Sequence, residues 1–391
     1  MSGSIRPFVY VGRRMAYVLS AQEHGAVSTG RQQTRGAAQR MMRRVVPARR
    51  ETAIRRETSM MMNHRIYRRT TLTAVLLMLS GGCSRRSASA DTSNVAPRPP
   101  DTATTAKLMT PQELSSLPTR PPDRRIPYGT DSSQYGELRV PTGPGPHAVV
   151  VLVHGGCFKA AYAQASQLGQ IGDALKAKGI ATWNIEYRRL GQPGSGWPGT
   201  YLDVAHGVDH LRAIASQHKL DLGRVVIVGH SAGGHLAMWA AARSRVPKGS
   251  PLYVANPLPV RGVLDLAGPV DMTAHIREYE GLCRDSVITT LLGGTPSAVP
   301  DRYAQASPIA LLPLGVPQVI AIGTYEDYVP RELVDAYTTA AVKAGDSVRT
   351  LFFPGAGHFE IASASQWTWP RIETAIRALL DGKLPRDEKA N

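Results

Sequence analysis

Strand-like and helical segments alternate along the chain after Ile126, and this alternation is the feature that most restricts its fold. Short apolar runs bounded by glycine and proline predict buried strands, and apolar residues three and four positions apart predict helices between them. Strands that alternate with helices form a parallel sheet that is covered on both faces and binds ligands at the carboxyl ends of its strands. We therefore predict one α/β domain. The predicted strands are 135–140, 148–153, 180–187, 224–229, 260–267, 317–323 and 348–353, and the predicted helices are 164–178, 201–218, 232–243, 331–344 and 361–380.

Residues 268–315 interrupt this alternation. Two short helical patterns, 272–279 and 286–292, lie here between two predicted strands. Insertions of this kind usually lie at the rim of the sheet, where they shape substrate access. We expect residues 268–315 to form a small cap.

Positive charge is concentrated near the start of the chain. The formal net charge is +16, yet residues 1–90 hold 17 of the 46 Lys and Arg residues and only 3 of the 30 Asp and Glu residues. The remaining residues carry 29 basic and 27 acidic side chains and are therefore nearly neutral. A nearly neutral domain does not suit a polyphosphate ligand, so we expect no nucleic-acid partner.

Residues 62–83 have the order of features that is typical of a secretory signal peptide. Arg68 and Arg69 precede the apolar run 72–79, and small residues then lead to Cys83. The apolar run is much shorter than the about 20 residues of a membrane-spanning helix. The ending LSGGC is similar to a bacterial lipoprotein signal, so we expect an exported, membrane-anchored envelope protein that is lipidated at Cys83. Ordinary signal-peptidase cleavage near this cysteine is the alternative.

The flanking segments differ from the predicted domain in composition. Residues 1–61 are expected to be a basic extension that is either disordered or upstream of a true start at one of three methionines, 60–62. Residues 84–125 are rich in Ser, Thr, Pro and Ala without apolar periodicity, which predicts a disordered tether. The predicted catalytic domain covers 126–381, and 382–391 form a tail.

Three cysteines are too few for a disulfide scaffold. If Cys83 is lipidated, Cys157 and Cys283 remain in an oxidising compartment. The sequence leaves open whether these two form one disulfide bond or are two buried thiols.

The stretch GHSAGG places Ser231 between a predicted strand and a predicted helix. A serine hydroxyl becomes a nucleophile when a tight turn holds it within reach of a base and of backbone N–H donors. Such a turn leaves no room for neighbouring β-carbons, which explains the glycines at 229 and 233. We predict a nucleophile elbow at Ser231.

A second glycine-rich loop, HGGCF at 154–158, follows another predicted strand. Acyl transfer needs at least two amide donors for the developing oxyanion, and a loop in this place supplies one or two of them. We assign the oxyanion hole to the N–H groups of Gly156, Cys157 and Ala232. His154 precedes the donors and is expected to be structural.

The base and the acid should follow the serine in the chain, the acid first. His358 lies after position 275, where no other of the eleven histidines is found, and it directly follows the last predicted strand. Two acidic residues, Glu326 and Asp327, follow the preceding strand. The spacing to the next helix favours Asp327, with Glu326 as the alternative.

Together, the motifs HGGC, GHSAGG, EDYVP and GAGHF resemble the α/β hydrolase superfamily. HGG with GHSAGGHLA is similar to its carboxylesterase and kynurenine formamidase-like branch, over about residues 126–380. The resemblance implies an eight-stranded, mostly parallel sheet with helices on both faces, a triad of Ser231, Asp327 and His358, and neither a metal nor an organic cofactor. Many relatives have a glycine or an aromatic residue at the position of Cys157, which puts the substrate preference in question.

These features predict an exported serine hydrolase that cleaves a small-molecule ester or amide through an acyl-enzyme. An aryl-formamidase and a prolyl-oligopeptidase-type peptidase are the enzymatic alternatives. An inactive hydrolase fold that serves as an envelope binding protein is the alternative from another class.

Overall fold

The computed structural model describes residues 107–386, and these form an eight-stranded mixed sheet with helices packed against it. The strand order is β1-β2-β4-β3-β5-β6-β7-β8, with β1 and β2 antiparallel to their neighbours and all other neighbours parallel. This confirms the predicted mostly parallel α/β hydrolase sheet. The strands are β1 (Arg124–Pro127), β2 (Tyr135–Arg139), β3 (His147–Val153), β4 (Ala181–Ile185), β5 (Leu220–His230), β6 (Gly262–Leu266), β7 (Gln318–Gly323) and β8 (Val348–Phe353).

Ten α-helices connect and flank these strands in the described part of the chain. They are α1 (Pro111–Ser115), α2 (Gly169–Ala177), α3 (Gly199–Asp209), α4 (Leu211–His218), α5 (Ala232–Ala241), α6 (Ile276–Cys283), α7 (Val287–Leu292), α8 (Pro300–Ala306), α9 (Arg331–Lys343) and α10 (Trp369–Leu380). Within residues 107–386, none of these helices combines the length and the apolar composition needed to cross a lipid bilayer.

Helices cover both faces of the central strands. A β-carbon at Gly262 would lie 2.7 Å from Leu379 of α10, and one at Gly234 of α5 would lie 2.1 Å from Asp265 Oδ1. Side chains three positions apart on a strand point to opposite faces, so α10 and α5 lie on opposite sides of β6. Burial on both faces explains why the central strands are continuous apolar runs.

The parallel strands bring four distant loops to one edge of the sheet. Val153 at the end of β3 is in register with Gly229 near the end of β5. Gly323 at the end of β7 is in register with Phe353 at the end of β8. The segments that follow β3, β5, β7 and β8 therefore emerge together, and they contain every residue that the sequence nominated for acyl transfer.

The predicted tether, 84–125, extends too far towards the C-terminus. Residues 107–125 are folded: Thr110 caps α1, Leu114 is buried against the core, and Arg124 begins β1. One buried leucine and a four-residue edge strand are too short to give a periodic pattern, which is why this prediction was wrong. The remainder of the tether, the signal peptide and the basic extension lie outside the described residues.

Two predicted helices also differ from the structure. The segment 201–218 forms two helices, α3 and α4, that meet at His210. The helix predicted over 361–380 begins at Trp369, because Pro370 fits the first turn of a helix but not its interior. The segment 268–315 contributes three helices, α6 to α8, between β6 and β7, and we call it the cap.

A buried histidine on α5 predicts acid sensitivity. His235 Nδ1 donates to Pro269 O over 2.8 Å, and its Nε2 accepts from the Tyr201 hydroxyl over 2.9 Å. This arrangement requires the neutral ring, and burial lowers the pKa of His235 to about 4. Between this value and the usual value of 6.5, the unfolded chain binds more protons than the folded chain.

We therefore expect the free energy of unfolding to fall as the pH decreases from 6.5 to about 4. The contribution of His235 is on the order of 3 kcal/mol. Urea unfolding at pH 7 and pH 4.5 measures it: His235→Asn should be less stable than wild type at pH 7 and lose less stability on acidification. An unchanged pH dependence in the variant would contradict this assignment.

Candidate active site

Ser231 lies in the turn between β5 and α5, in a strained backbone conformation. Its φ is 55° and its ψ is −124°, a combination that L-residues rarely adopt. A β-carbon at Gly229 would lie 2.0 Å from Gly233 O, and one at Gly233 would lie 2.1 Å from Val153 O. Both glycines are therefore required by close backbone contact. The turn thus has the strained, closely packed geometry that the sequence predicted around Ser231.

The HGGCF loop packs directly against this elbow. A β-carbon at Gly155 would lie 2.8 Å from His230 O and 3.0 Å from Ser231 Cβ. The N–H groups of Gly156, Cys157 and Ala232 donate to no acceptor within residues 107–386. Backbone N–H groups without an acceptor are the kind of donor that an oxyanion hole uses, and the assignment of this role to these three amides stays a prediction.

Buried polar groups hold this loop in place. The Gly155 N–H donates to Gln167 Oε1 over 2.8 Å, and His154 Nε2 lies 3.1 Å from Glu186 Oε1. Burial opposes ionisation of Glu186, yet the neighbouring His154 and Arg189 hold its pKa below its usual value. His154 thus has a charged partner beneath the loop, which agrees with a structural role. Sequence patterns did not reveal Gln167 or Glu186, because neither lies in a motif.

The carboxylate that contacts His358 belongs to Glu326, so the prediction of Asp327 was wrong. His358 Nδ1 lies 2.9 Å and 2.8 Å from the two carboxylate oxygens of Glu326. Glu326 Oε1 also accepts from the backbone N–H groups of Tyr328 and Val329, over 2.8 and 3.3 Å. These bonds turn the Glu326 side chain inwards, whereas Asp327 is exposed on the same loop.

Aromatic rings fix the plane of the His358 imidazole. Tyr328 stacks on it with ring centroids 4.2 Å apart, and the ring of His230 lies 4.8 Å away. His230 Nε2 donates to His358 O over 3.0 Å, and burial lowers the pKa of His230 well below its usual value, so His230 stays neutral. Because Nδ1 of His358 donates to the carboxylate, its Nε2 is left as the basic nitrogen.

The hydroxyl of Ser231 is bonded to a residue that the sequence analysis did not nominate. Ser231 Oγ lies 2.9 Å from the hydroxyl of Tyr279, on α6 of the cap. The hydrogen bonds within residues 107–386 include none between Ser231 and His358. In this structure the hydroxyl of Ser231 is therefore paired with Tyr279 of the cap and not with His358.

A disulfide bond joins the glycine loop to the cap. Cys157 and Cys283 are bonded, with their Cα atoms 5.8 Å apart and 126 positions apart in the chain. This decides between the two alternatives that the sequence left open.

One curated protein that is similar to this chain is esterase LipC of Mycobacterium tuberculosis (strain ATCC 25618 / H37Rv). It is 27% identical over 242 residues, which cover 60% of this chain and 59% of that protein. The chain thus aligns with about three fifths of the length of this curated relative.

Several solved structures share the fold. A truncated form of a carbohydrate esterase from gut microbiota is 21% identical, with a TM-score of 0.56 over 66% of this chain and 95% of that chain. An inhibited esterase B from Lactobacillus rhamnosis is 17% identical, with a TM-score of 0.57 over 67% of this chain and 90% of that chain. At these identities the similarity establishes the α/β hydrolase fold.

A protein-family model, BD-FAE, matches residues 139–338, which is more than half of the chain. The match includes the HGG loop, the nucleophile elbow, the cap and the Glu326 loop. The chain belongs to the BD-FAE family, a family of α/β-hydrolase esterases.

Proposed function

We propose that this protein is a serine hydrolase that cleaves carboxylic esters through an acyl-enzyme. One observation supports this above all others: Ser231, three unused amides and the Glu326–His358 pair follow strands that end at the same edge of the sheet. An activated nucleophile, its base, the group that orients the base and an oxyanion site are the parts that acyl transfer requires.

The reaction assigns one role to each group. Ser231 Oγ attacks the ester carbonyl carbon while its proton moves to His358 Nε2, and the carbonyl electron pair moves onto the oxygen that the amides hold. Glu326 keeps the ring orientation and stabilises the imidazolium. The intermediate collapses as His358 returns the proton to the leaving alcohol. Water, activated by the same imidazole, then releases the acid and restores Ser231.

The relatives favour esters as the substrate class. Both solved neighbours and the curated relative are named esterases, and one is named a carbohydrate esterase. An aryl-formamidase or a peptidase of the prolyl-oligopeptidase type would use the same chemistry on an amide bond. An inactive binding protein would keep the fold without turnover.

Covalent labelling at Ser231 tests the proposal. We expect a fluorophosphonate probe to label wild type at one residue and to leave Ser231→Ala unlabelled, because the probe needs an activated hydroxyl. Initial rates on p-nitrophenyl esters, acetylated sugars, feruloyl esters and N-formylkynurenine then rank the substrates. An unlabelled, folded wild type would favour a binding protein, and turnover of amides without esters would contradict the esterase assignment.

The two adjacent acidic residues offer a matched pair of variants. Glu326→Gln should lower kcat about 10²- to 10⁴-fold, because an amide at this position favours the wrong tautomer of His358 and does not stabilise the imidazolium. Asp327→Asn should change kcat less than about twofold, since Asp327 is exposed. Steady-state kinetics on the best ester measure both. Equal effects, or a larger loss in Asp327→Asn, would refute the assignment of Glu326.

We also propose that the protein is exported and lipid-anchored at Cys83, which lies outside the described residues. The disulfide between Cys157 and Cys283 supports export, because such bonds persist in oxidising compartments, and the LSGGC motif is the basis for the lipid anchor. Intact-mass analysis of the protein from its native membrane fraction should find Cys83 as a lipid-modified N-terminus. Cys83→Ala should release the protein from the membrane fraction. A mature chain that retains the segment before Cys83 would contradict the proposal.

A further inference from the structure

Tyr279, on helix α6 of the cap, contacts the hydroxyl of Ser231. The Tyr279 hydroxyl lies 2.9 Å from Ser231 Oγ, and both side chains are buried, Ser231 being 3% exposed. The hydroxyl proton of Tyr279 can point to Oγ, because a serine hydroxyl oxygen has two lone pairs that accept hydrogen bonds. Tyr279 therefore contacts an atom that reacts in the proposed mechanism.

The helix that carries Tyr279 is fixed to the loop that carries the oxyanion amides. Cys283 lies four residues after Tyr279 on α6, hence on the same face of the helix, and is bonded to Cys157 of the glycine loop. Lys159 directly follows this loop; its Nζ donates to Cys283 O over 3.0 Å and forms an ion pair with Asp285. The disulfide bond and these polar contacts hold the C-terminal end of α6 against the segment 157–159.

Neighbouring rings restrict the position of the phenol. The ring centroid of Phe158, in the glycine loop, lies 6.1 Å from that of Tyr279. The ring centroid of Tyr328, which stacks on His358, lies 6.3 Å from that of Tyr279. The ring of Tyr279 thus lies near both the glycine loop and the ring that stacks on His358.

We propose that the Tyr279 hydroxyl is a catalytic residue of this esterase, a side-chain donor to the oxyanion beside the three backbone amides, and that the Cys157–Cys283 disulfide positions it. The inference rests on the proposed function, because it assigns an additional donor to the same reaction.

The step balances without transfer of the phenol proton. In this proposal the hydroxyl of Tyr279 is the donor and Ser231 Oγ is the acceptor before the reaction. When Oγ bonds to the carbonyl carbon, the serine proton moves to His358 and the carbonyl electron pair moves to oxygen. That oxygen and Oγ are then attached to one carbon, so the O–H of Tyr279 can shift from one to the other. Burial raises the pKa of Tyr279, which keeps its proton in place during the reaction.

Tyr279→Phe tests the first part of the inference. This variant keeps the ring and removes only the donor, so we expect kcat on the best ester to fall about 10²-fold while KM changes less than about threefold. Tyr303→Phe is the matched control, because the Tyr303 hydroxyl donates to Gly294 O over 3.1 Å elsewhere in the cap. Its kcat should stay within about twofold of wild type.

Unchanged or increased kcat in Tyr279→Phe would overturn the inference and show that the hydroxyl only covers Ser231. An equal loss in Tyr303→Phe would also overturn it, by assigning the effect to cap stability. Fluorophosphonate labelling separates failure of this inference from failure of the proposed function. If only the inference fails, Tyr279→Phe is still labelled completely at long times. If the proposed function fails, wild type itself is neither labelled nor active.

A double-mutant cycle tests the role of the disulfide. Removing it with Cys157→Ser and Cys283→Ser together should lower kcat about tenfold in the wild-type background. In the Tyr279→Phe background the same change should have little further effect on kcat, because the donor that the bond positions is already absent. An equal loss in both backgrounds would show that the disulfide acts on the amides or on stability, and would refute its role in positioning Tyr279.

Discussion

The site depends on close backbone packing where β3, β5 and α5 meet. Gly229 and Gly233 contact each other and the end of β3 at distances that no β-carbon tolerates. This contact lets α5 begin immediately after the strand, which forces Ser231 into its strained conformation. It also brings the HGGCF loop against Ser231, so one packing constraint places both the serine and the unused amides at this edge of the sheet.

Helix α6 of the cap lies over this edge of the sheet. α6 covers Ser231 through Tyr279, and the disulfide ties the end of α6 to the oxyanion loop. The HGGCF loop and α6 are therefore covalently linked.

Glu326 and Asp327 are adjacent acidic residues in one loop, and Glu326 is the one that contacts His358. Glu326 has the longer side chain, and two backbone N–H groups hold it towards His358, whereas Asp327 is exposed. Sequence spacing could nominate the loop because it follows β7. It could not choose the residue, since adjacent side chains in a turn point in directions that the local hydrogen bonds determine.

The sequence by itself determined the alternation of strands and helices, the elbow at Ser231, the amide loop and His358, because these depend on local patterns and on chain order. Tertiary structure alone decided the pairing of Glu326 with His358, the contact of Tyr279 with Ser231 and the Cys157–Cys283 bond. Each of these joins segments that are distant in the chain or selects one of two neighbours. The folded residues before 126 also required the structure, because their few contacts are made with partners far along the chain. Local sequence patterns indicate which face of a helix or strand is buried. Which side chain of another element contacts that face depends on how the elements pack in the folded chain.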